Sequence, residues 1–408
     1  MTESDVTPHK TLRAGTSVWS GVRAPRPKAR TLSQSIKADV AIIGAGISGA
    51  FMAHALAPRY ERVVVLDRRE PTSGATSAST AMLQFEIDEP LTDLREKIGA
   101  HNAARAWRRS FEATQDLMQL VADETIRCGL SPRSALYLAG ADLGARGMEA
   151  ESRARQRAGL PGAFVTAARL RSDYGIDRTG AILSDGSAVA NPVQLASGLL
   201  RRARALGAEI YAQTNVEELM CSKHGVILDT GRHFVEAKHA IFCTGYEVLK
   251  GVPAGAAKIT SSWAVASRPH AHYPAWLDRT LVWEAATPYL YLRTTPDRRI
   301  IAGGEDEDID LASYRSRNID AKARHLATKV HALIPDVSLT PAFKWTGAFG
   351  ESKDGLPFID AVPGMPGCFA VMGFGGNGTI YSLIAAQIVP TLLKGRADKD
   401  SDLYRFRD

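Results

Sequence analysis

Apolar residues run unbroken from Val40 to Ile43, give way to glycines at 44, 46 and 49, and resume through Ala57 without strand alternation. A short apolar run followed by glycines and a helical stretch predicts a buried strand, a tight turn and a helix. A second run, Arg62-Val-Val-Val-Leu-Asp67, predicts another buried strand. The ordered fold is expected to begin near Ile36. Farther on, Trp107, Phe111, Leu117, Leu120 and Val121 recur at helical spacing and predict a helix over 101–127. Pro192–Ala205 predicts another, with Asn191 as N-cap, Pro192 at its first position and Gly207 ending it. Ala208–Ala212 and the segments around 226–228 and 234–235 read as a strand and a small meander. Residues 239–245 read as a strand entering a glycine turn. From 259 to 304 the pattern changes to strands, including 263–266, 281–283 and 289–293. Helices are predicted over 319–333 and 379–393.

The order is βαβ, a mixed middle, a strand-rich insertion, then glycine turn and helix. It predicts an α/β (α+β) chain with a Rossmann-like domain scattered over 36–90, 150–250 and 345–400. A substrate or cap domain with an antiparallel sheet is expected from 91–149 and 251–344.

The glycines carry the first chemistry. Gly44 permits the turn, Gly46 lets a pyrophosphate approach the backbone, and Gly49 lets helix pack on strand. The helix N-terminus presents unpaired N–H groups to phosphate. Asp67 lies where an acid grips ribose hydroxyls. Arg68 and Arg69 would suit a 2′-phosphate, but Asp67 would repel one. A dinucleotide site follows; the fingerprint alone leaves its identity open.

Bulk properties narrow the picture modestly. The chain has 408 residues, 45% hydrophobic and 23% charged, with a formal net charge of +6, ordinary for a globular enzyme. Residues 1–35 concentrate Lys10, Arg13, Arg23, Arg26, Lys28 and Arg30 against Glu3 and Asp5, and predict a basic, solvated, poorly ordered arm. No arginine–aromatic interleaving points to nucleic acid. Cys128, Cys221, Cys243 and Cys368 are far apart and suggest neither a metal site nor a disulfide framework. With no secretory signal and no membrane span expected, the cytoplasm is the expected compartment.

Five segments, taken together, resemble the FAD-dependent D-amino-acid-oxidase-like (DAO) superfamily. They are Asp39–Gly49 with Asp67; the small-residue loop Gly74-Ala-Thr-Ser-Ala-Ser-Thr80; Ile241-Phe-Cys-Thr-Gly-Tyr246; Lys353-Asp-Gly-Leu-Pro-Phe-Ile359; and Gly373-Phe-Gly-Gly-Asn-Gly-Thr-Ile380. Ser17-Val-Trp19 resembles the branch containing γ-glutamylputrescine oxidase. The resemblance implies a glutathione-reductase-like FAD domain. It places FAD against Gly44, Ala45, Gly46, Ile47, Ser48, Gly49, Asp67, Arg68 and Arg69. It adds Ala75, Thr76, Ser77, Ser79 and Thr80 for phosphate and ribityl oxygens, and Val216 for adenine. Thr244, Gly245, Gly373, Gly375, Gly376, Asn377, Gly378 and Thr379 complete the set, the last group placing a helix N-terminus under the flavin. The family more often has Glu at the position of Asp67, and Gly at that of Asp360.

The implied activity is oxidation of an amine or amino-acid-like small molecule by hydride transfer to flavin N5. Electrons would pass to O2 or another acceptor, and the FAD is expected to be noncovalent. A dehydrogenase of a hydroxy compound, such as glycerol 3-phosphate or a 2-hydroxy acid, is the alternative; a flavin-binding tRNA-modification component is a more distant one. Tyr289, Tyr291 and Arg293 alternate on one predicted strand and so share a face. Relatives use such a strand to grip a substrate carboxylate, and an arginine suits that task. Gln84 and Lys353 are the other candidates near the flavin.

Overall fold

The computed structural model describes residues 5–22, 25–252 and 258–407. Glu3 and Arg23 of the basic segment lie outside the described residues. Among the described residues the strands gather into two sheets.

The first sheet runs Phe358–Ala361, Cys368–Met372, Phe234–Phe242, Ile36–Ile43, Val63–Leu66 and Glu209–Tyr211, with the meander Glu218–Ser222 and Gly225–Asp229 attached to Phe234–Phe242. Its centre is parallel: Val40 pairs with Val63, and Ile43 with Leu66 and Phe242. A parallel strand covered on both faces needs apolar residues at every position, which is why Val40–Ile43 does not alternate. Val40, Ile42, Val63 and Val65 pack with the helices Ile47–Leu56, Pro192–Ala205 and Gly378–Leu392. Ala41, Ile43, Val64 and Leu66 pack beneath the meander on the other side.

The second sheet runs Arg13–Thr16, Phe343–Glu351, Lys258–Ala266, Ile300–Glu307, Leu290–Thr294, Thr280–Glu284, Ser131–Leu138, Gly180–Val189 and Met82–Leu83, with Ala163–Thr166 joined to Gly180–Val189. It is antiparallel except where Thr280–Glu284 runs with Ser131–Leu138. Helix Ala312–Leu333 lays Ala323, Leu326, Val330 and Leu333 against this sheet.

Two expectations are corrected here. Ala163–Thr166, Gly180–Val189 and Phe343–Glu351 pair into the second sheet, so segments 150–250 and 345–400 contribute to both sheets. The N-terminal segment is not a solvated arm. Arg13–Thr16 pairs with Gly347–Lys344 and adds the edge strand of the second sheet. Val18 and Trp19 are buried, and Trp19 Nε1 donates to the Ser79 carbonyl at 2.7 Å. Burial of an indole and completion of a sheet edge outweigh the solvation of a few cations, which find partners of their own: Arg30 meets Glu209 at 2.5 Å, and Lys10 meets Asp310.

Helix Pro192–Ala205 starts as expected, with the Asn191 side chain accepting from the Val193 and Gln194 N–H groups at 3.0 and 3.1 Å. No helix among the described residues is long and apolar enough to cross a membrane.

Candidate active site

The parallel strands Ile36–Ile43, Val63–Leu66 and Phe234–Phe242 deliver Gly44, Asp67 and Cys243 from their C-terminal ends into one cleft. Ligands of open α/β sheets bind on that side. Gly44 has φ +108°, and a Cβ there would collide with the Cys243 carbonyl. A Cβ on Gly49 would collide with the Gly44 carbonyl, so both glycines are required for the strand and helix to meet. Helix Ile47–Leu56 begins at Gly46, which brings no capping side chain of its own. Thr76 Oγ1 accepts from the Ile47 N–H at 2.9 Å, while Gly44, Gly46, Ile47 and Ser48 line the cleft. Helix Gly378–Leu392 is likewise uncapped by its N-cap side chain, and Gly375 to Thr379 line the same cleft. A hydrogen bond of 2.8 Å between Ser48 and Ser382 ties the two helices together. Two helix N-termini in one cleft suit an anionic, extended ligand.

At one end stand Asp67, Arg68, Arg69, Thr214 and Val216, with Val6 and Thr7 of the N-terminal segment. The Asp67 carboxylate accepts from Ala45 and Arg69 N–H groups, each at 2.7 Å. Surrounding protein atoms raise its pKa, and those two N–H groups oppose the rise. Its side chain also faces the cleft, leaving room for a ribose donor. The two arginines are not free for a 2′-phosphate. Arg69 binds Glu247 through a two-pronged contact of 2.6 and 2.8 Å and donates to the Lys10 carbonyl at 3.0 Å. Arg68 donates to Thr7 and, at 3.2 Å, to the Pro8 carbonyl. Burial raises the carboxyl of Glu247, but Arg69, the Lys10 N–H and Arg68 outweigh it and hold the pKa low. Glu247 carries this arrangement and went unnoticed in the sequence.

Of the residues expected to hold the cofactor, Ala75, Thr76, Ser79, Thr80, Thr244 and Gly245 also line the cleft. Ala45, Gly49, Ser77 and Gly373 do not reach its surface. Ser77 turns its hydroxyl back to the Gly74 carbonyl at 2.9 Å. Cys368 is buried in its strand away from the cleft, and burial pushes its thiol up to about 12. Asp360 pairs with Ala370 inside a strand rather than forming a turn.

The other end of the cleft holds Gln84, Glu86, Asp88, Tyr246, Trp283, Tyr289, Tyr291 and Phe349. Beyond strand Met82–Leu83 the chain bends, and Gln84, Glu86 and Asp88 line the cleft while Phe85 and Ile87 enter the core. Gln84 Nε2 is buried without a hydrogen-bond partner. Tyr289 and Tyr291 lie 5.6 Å apart by ring centroids. Arg293 is not at the surface of the cleft. It is 1% exposed and donates to the carbonyls of Thr80 at 2.7 Å and Ala190 at 2.9 Å, with its guanidinium over the Trp19 ring. It braces the Ser/Thr loop from behind. Lys353 is exposed and outside the cleft, and Lys344 pairs with Asp320. Trp345 does line the cleft and donates to the Ala78 carbonyl at 2.8 Å.

A cleft at the carboxyl ends of a parallel sheet, entered by two helix N-termini, is the architecture of a dinucleotide-binding protein. The family model described as FAD dependent oxidoreductase (DAO) matches residues 39–390, and the chain belongs to that family. It is 23% identical over 382 residues to gamma-glutamylputrescine oxidoreductase of Escherichia coli (strain K12), covering 90% of this chain and 86% of that protein. It is 24% identical over 400 residues to glycine oxidase of Geobacillus kaustophilus (strain HTA426), covering 90% and 96%. The crystal structure of glycine oxidase from Geobacillus kaustophilus superposes with a TM-score of 0.74 at 21% identity, covering 91% of this chain and 98% of that one. The protein is an FAD-dependent oxidoreductase with a glutathione-reductase-like nucleotide-binding domain.

Proposed function

We propose that this enzyme oxidises the C–N bond of an amine or amino-acid-like small molecule, with FAD held noncovalently along the cleft. The observation that carries the reading is the continuity of one cleft from the two helix N-termini to an aromatic and polar end containing Gln84, Tyr289 and Tyr291. Bound there, FAD supplies the hydride acceptor. The chain's own part is to hold and to screen. N–H groups at Gly46 and Ser48 would hold the pyrophosphate, Asp67 would accept from the adenosine ribose, and Val216 would border adenine. Thr80 and Ser79 would serve the ribityl chain, and the helix N-terminus at Gly375 to Thr379 would stabilise negative charge on the reduced flavin. Tyr289, Tyr291 and Trp283 wall the substrate end and exclude water. The substrate's imine product then takes up water to give a carbonyl compound and ammonia, or an amine where the nitrogen carries a second carbon. Electrons leave to O2 or to another acceptor. We place the enzyme in the cytoplasm, where its four unbridged cysteines would stay reduced.

The test is an anaerobic bleaching screen of the FAD-loaded protein with amines, amino acids and hydroxy acids. Flavin reduced by amines or amino acids is the expected result. Reduction by glycerol 3-phosphate or 2-hydroxy acids alone would replace this reading with a hydroxy-compound dehydrogenase. Acid precipitation should leave the pellet colourless; yellow protein would mean a covalent flavin.

A further inference from the structure

Asp88 sets a carboxylate against one of the two helix N-termini of the cleft. Among the described residues lining the cleft, the acids are Asp67, Glu86, Asp88 and Glu247. Asp67 and Glu247 stand at the ribose end, and Glu86 is buried against Arg155, 3.9 Å from its Nη1. Asp88 is exposed, and its carboxylate accepts the Gly376 N–H at 2.5 Å. Gly376 is one residue ahead of Asn377, the N-cap of helix Gly378–Leu392. Asn377 gives that helix no side-chain cap; its Nδ2 donates to the Glu86 carbonyl at 2.9 Å. A Cβ on Gly376 would come within 2.8 Å of Asp88 Oδ1, so the close approach needs glycine there. Neighbours on both sides fix the segment that carries Asp88. Arg155 pairs with Glu86 and, at 2.8 Å, with Glu151, which in turn accepts from the Leu91 and Thr92 N–H groups at 3.0 and 2.8 Å. The charge is felt within this end of the cleft: burial raises the hydroxyl pKa of Tyr246, and Asp88 adds to the rise. A helix N-terminus presents on the order of half a positive elementary charge, which a full carboxylate beside it offsets.

We propose that Asp88 sets the redox potential of the bound flavin: its carboxylate, held on Gly376, offsets the positive end of helix Gly378–Leu392 and makes the flavin harder to reduce and a stronger reductant once reduced. This rests on the reading that FAD lies along the cleft with its ring at that turn. Hydride arriving at the ring leaves negative charge on it, which a helix N-terminus stabilises and a nearby carboxylate opposes. The oxidised ring is neutral and responds little to either. The balance between the helix end and Asp88 therefore falls on the reduction step. Asp88 acts through the field at the ring and needs no contact with the substrate.

The experiment uses full-length, FAD-loaded protein and reads the midpoint potential of the flavin by equilibration with a redox dye, without substrate turnover. Asp88→Asn keeps an oxygen for the Gly376 N–H and removes the charge. It should raise the equilibrium constant for two-electron reduction about tenfold, a shift of about 30 mV to more positive potential. Asp88→Ala, which loses both the charge and the acceptor, should shift in the same direction, and Asp88→Glu should stay near the parent. Sulfite is a second probe. Its sulfur lone pair bonds to N5 of the oxidised ring and negative charge passes to the ring, so sulfite should bind Asp88→Asn about tenfold more tightly than the parent. Bound-FAD content and unfolding midpoint establish that each variant is folded, and Asp88→Ser serves as the charge-free variant should Asp88→Asn lose FAD. An unchanged or lowered potential in FAD-loaded Asp88→Asn, or a shift in Asp88→Ala without one in Asp88→Asn, would overturn the proposal and leave the cofactor reading standing. A parent chain that takes up no FAD would bring down the cofactor reading itself, and this proposal with it. The bleaching screen with amines and hydroxy acids bears on C–N oxidation alone.

Discussion

Glu247 accepts both prongs of Arg69 and the Lys10 N–H, joining the strand end at Asp67, the turn after Cys243 and the N-terminal segment. Because its folded pKa is held below the unfolded value, its contribution is complete above that unfolded value. The contribution is lost as pH falls through the folded one. Glu247→Gln should therefore cost about 1–3 kcal/mol at neutral pH. Its deficit against the parent should shrink below about pH 4, near the carboxyl's unfolded value. Urea midpoints from pH 7 down to the lowest pH at which the parent stays folded give the answer; a deficit independent of pH would remove the charge from the explanation. Arg293 makes a separate prediction. Arg293→Met leaves the Thr80 and Ala190 carbonyls short of donors in a buried place, at about 1–3 kcal/mol each. Stability and bound FAD should drop, while the substrate concentration for half-bleaching in the FAD-loaded fraction stays near the parent's. A hundredfold rise in that concentration with stability intact would restore the carboxylate clamp.

The N-terminal strand and the Trp19 turn act as one element. Trp19→Ala should cost about 3–5 kcal/mol, and removing residues 1–16 should uncover the edge of Phe343–Glu351 and the adenine end of the cleft. The truncated protein is expected to lose FAD on gel filtration and to scatter light, because an open edge strand pairs with other chains. Retained FAD and a clear solution would return the segment to the role of a solvated tail. Its packing was hidden in the sequence because every decisive partner is remote. Lys10 meets Glu247 and Asp310, and Arg13–Thr16 pairs with residues 344–347. Local pattern sees only the charges. Elements with local signals were legible: Asn191-Pro192 announces its helix, and Val40–Gly49 its strand, turn and helix. Helix Ala312–Leu333 was read from 319 onward because Ala312-Ser-Tyr-Arg-Ser-Arg carries little apolar stripe. Strand Gly180–Val189 was missed because Ser184-Asp185-Gly186-Ser187 breaks its alternation, where the register also shifts against Ser131–Leu138. The cofactor segments were visible because glycine and hydroxyl spacing records them. Arg293 was misread because alternation predicts a face, and the depth of a side chain behind that face depends on Thr80 and Ala190, far away in the chain.

Across the whole molecule, the two sheets share the cleft, with residues of both lining it. A ligand bound there stabilises both, by about 2.7 kcal/mol at a concentration one hundred times its Kd. Calorimetry should show the FAD-loaded protein melting in one transition at a midpoint that rises with added FAD. The stripped protein should melt lower, and a midpoint indifferent to FAD would deny the cleft its role. The N-terminal strand adds a matter of timing. It leaves the ribosome more than three hundred residues before the strand it must join, Phe343–Glu351. Until then the end of the cleft lined by Val6, Thr7 and Asp67 stands open, and a segment made early is among the last to be fastened. Closing that end of the cleft and completing the second sheet thus become one late event, possible only once Phe343–Glu351 has been made.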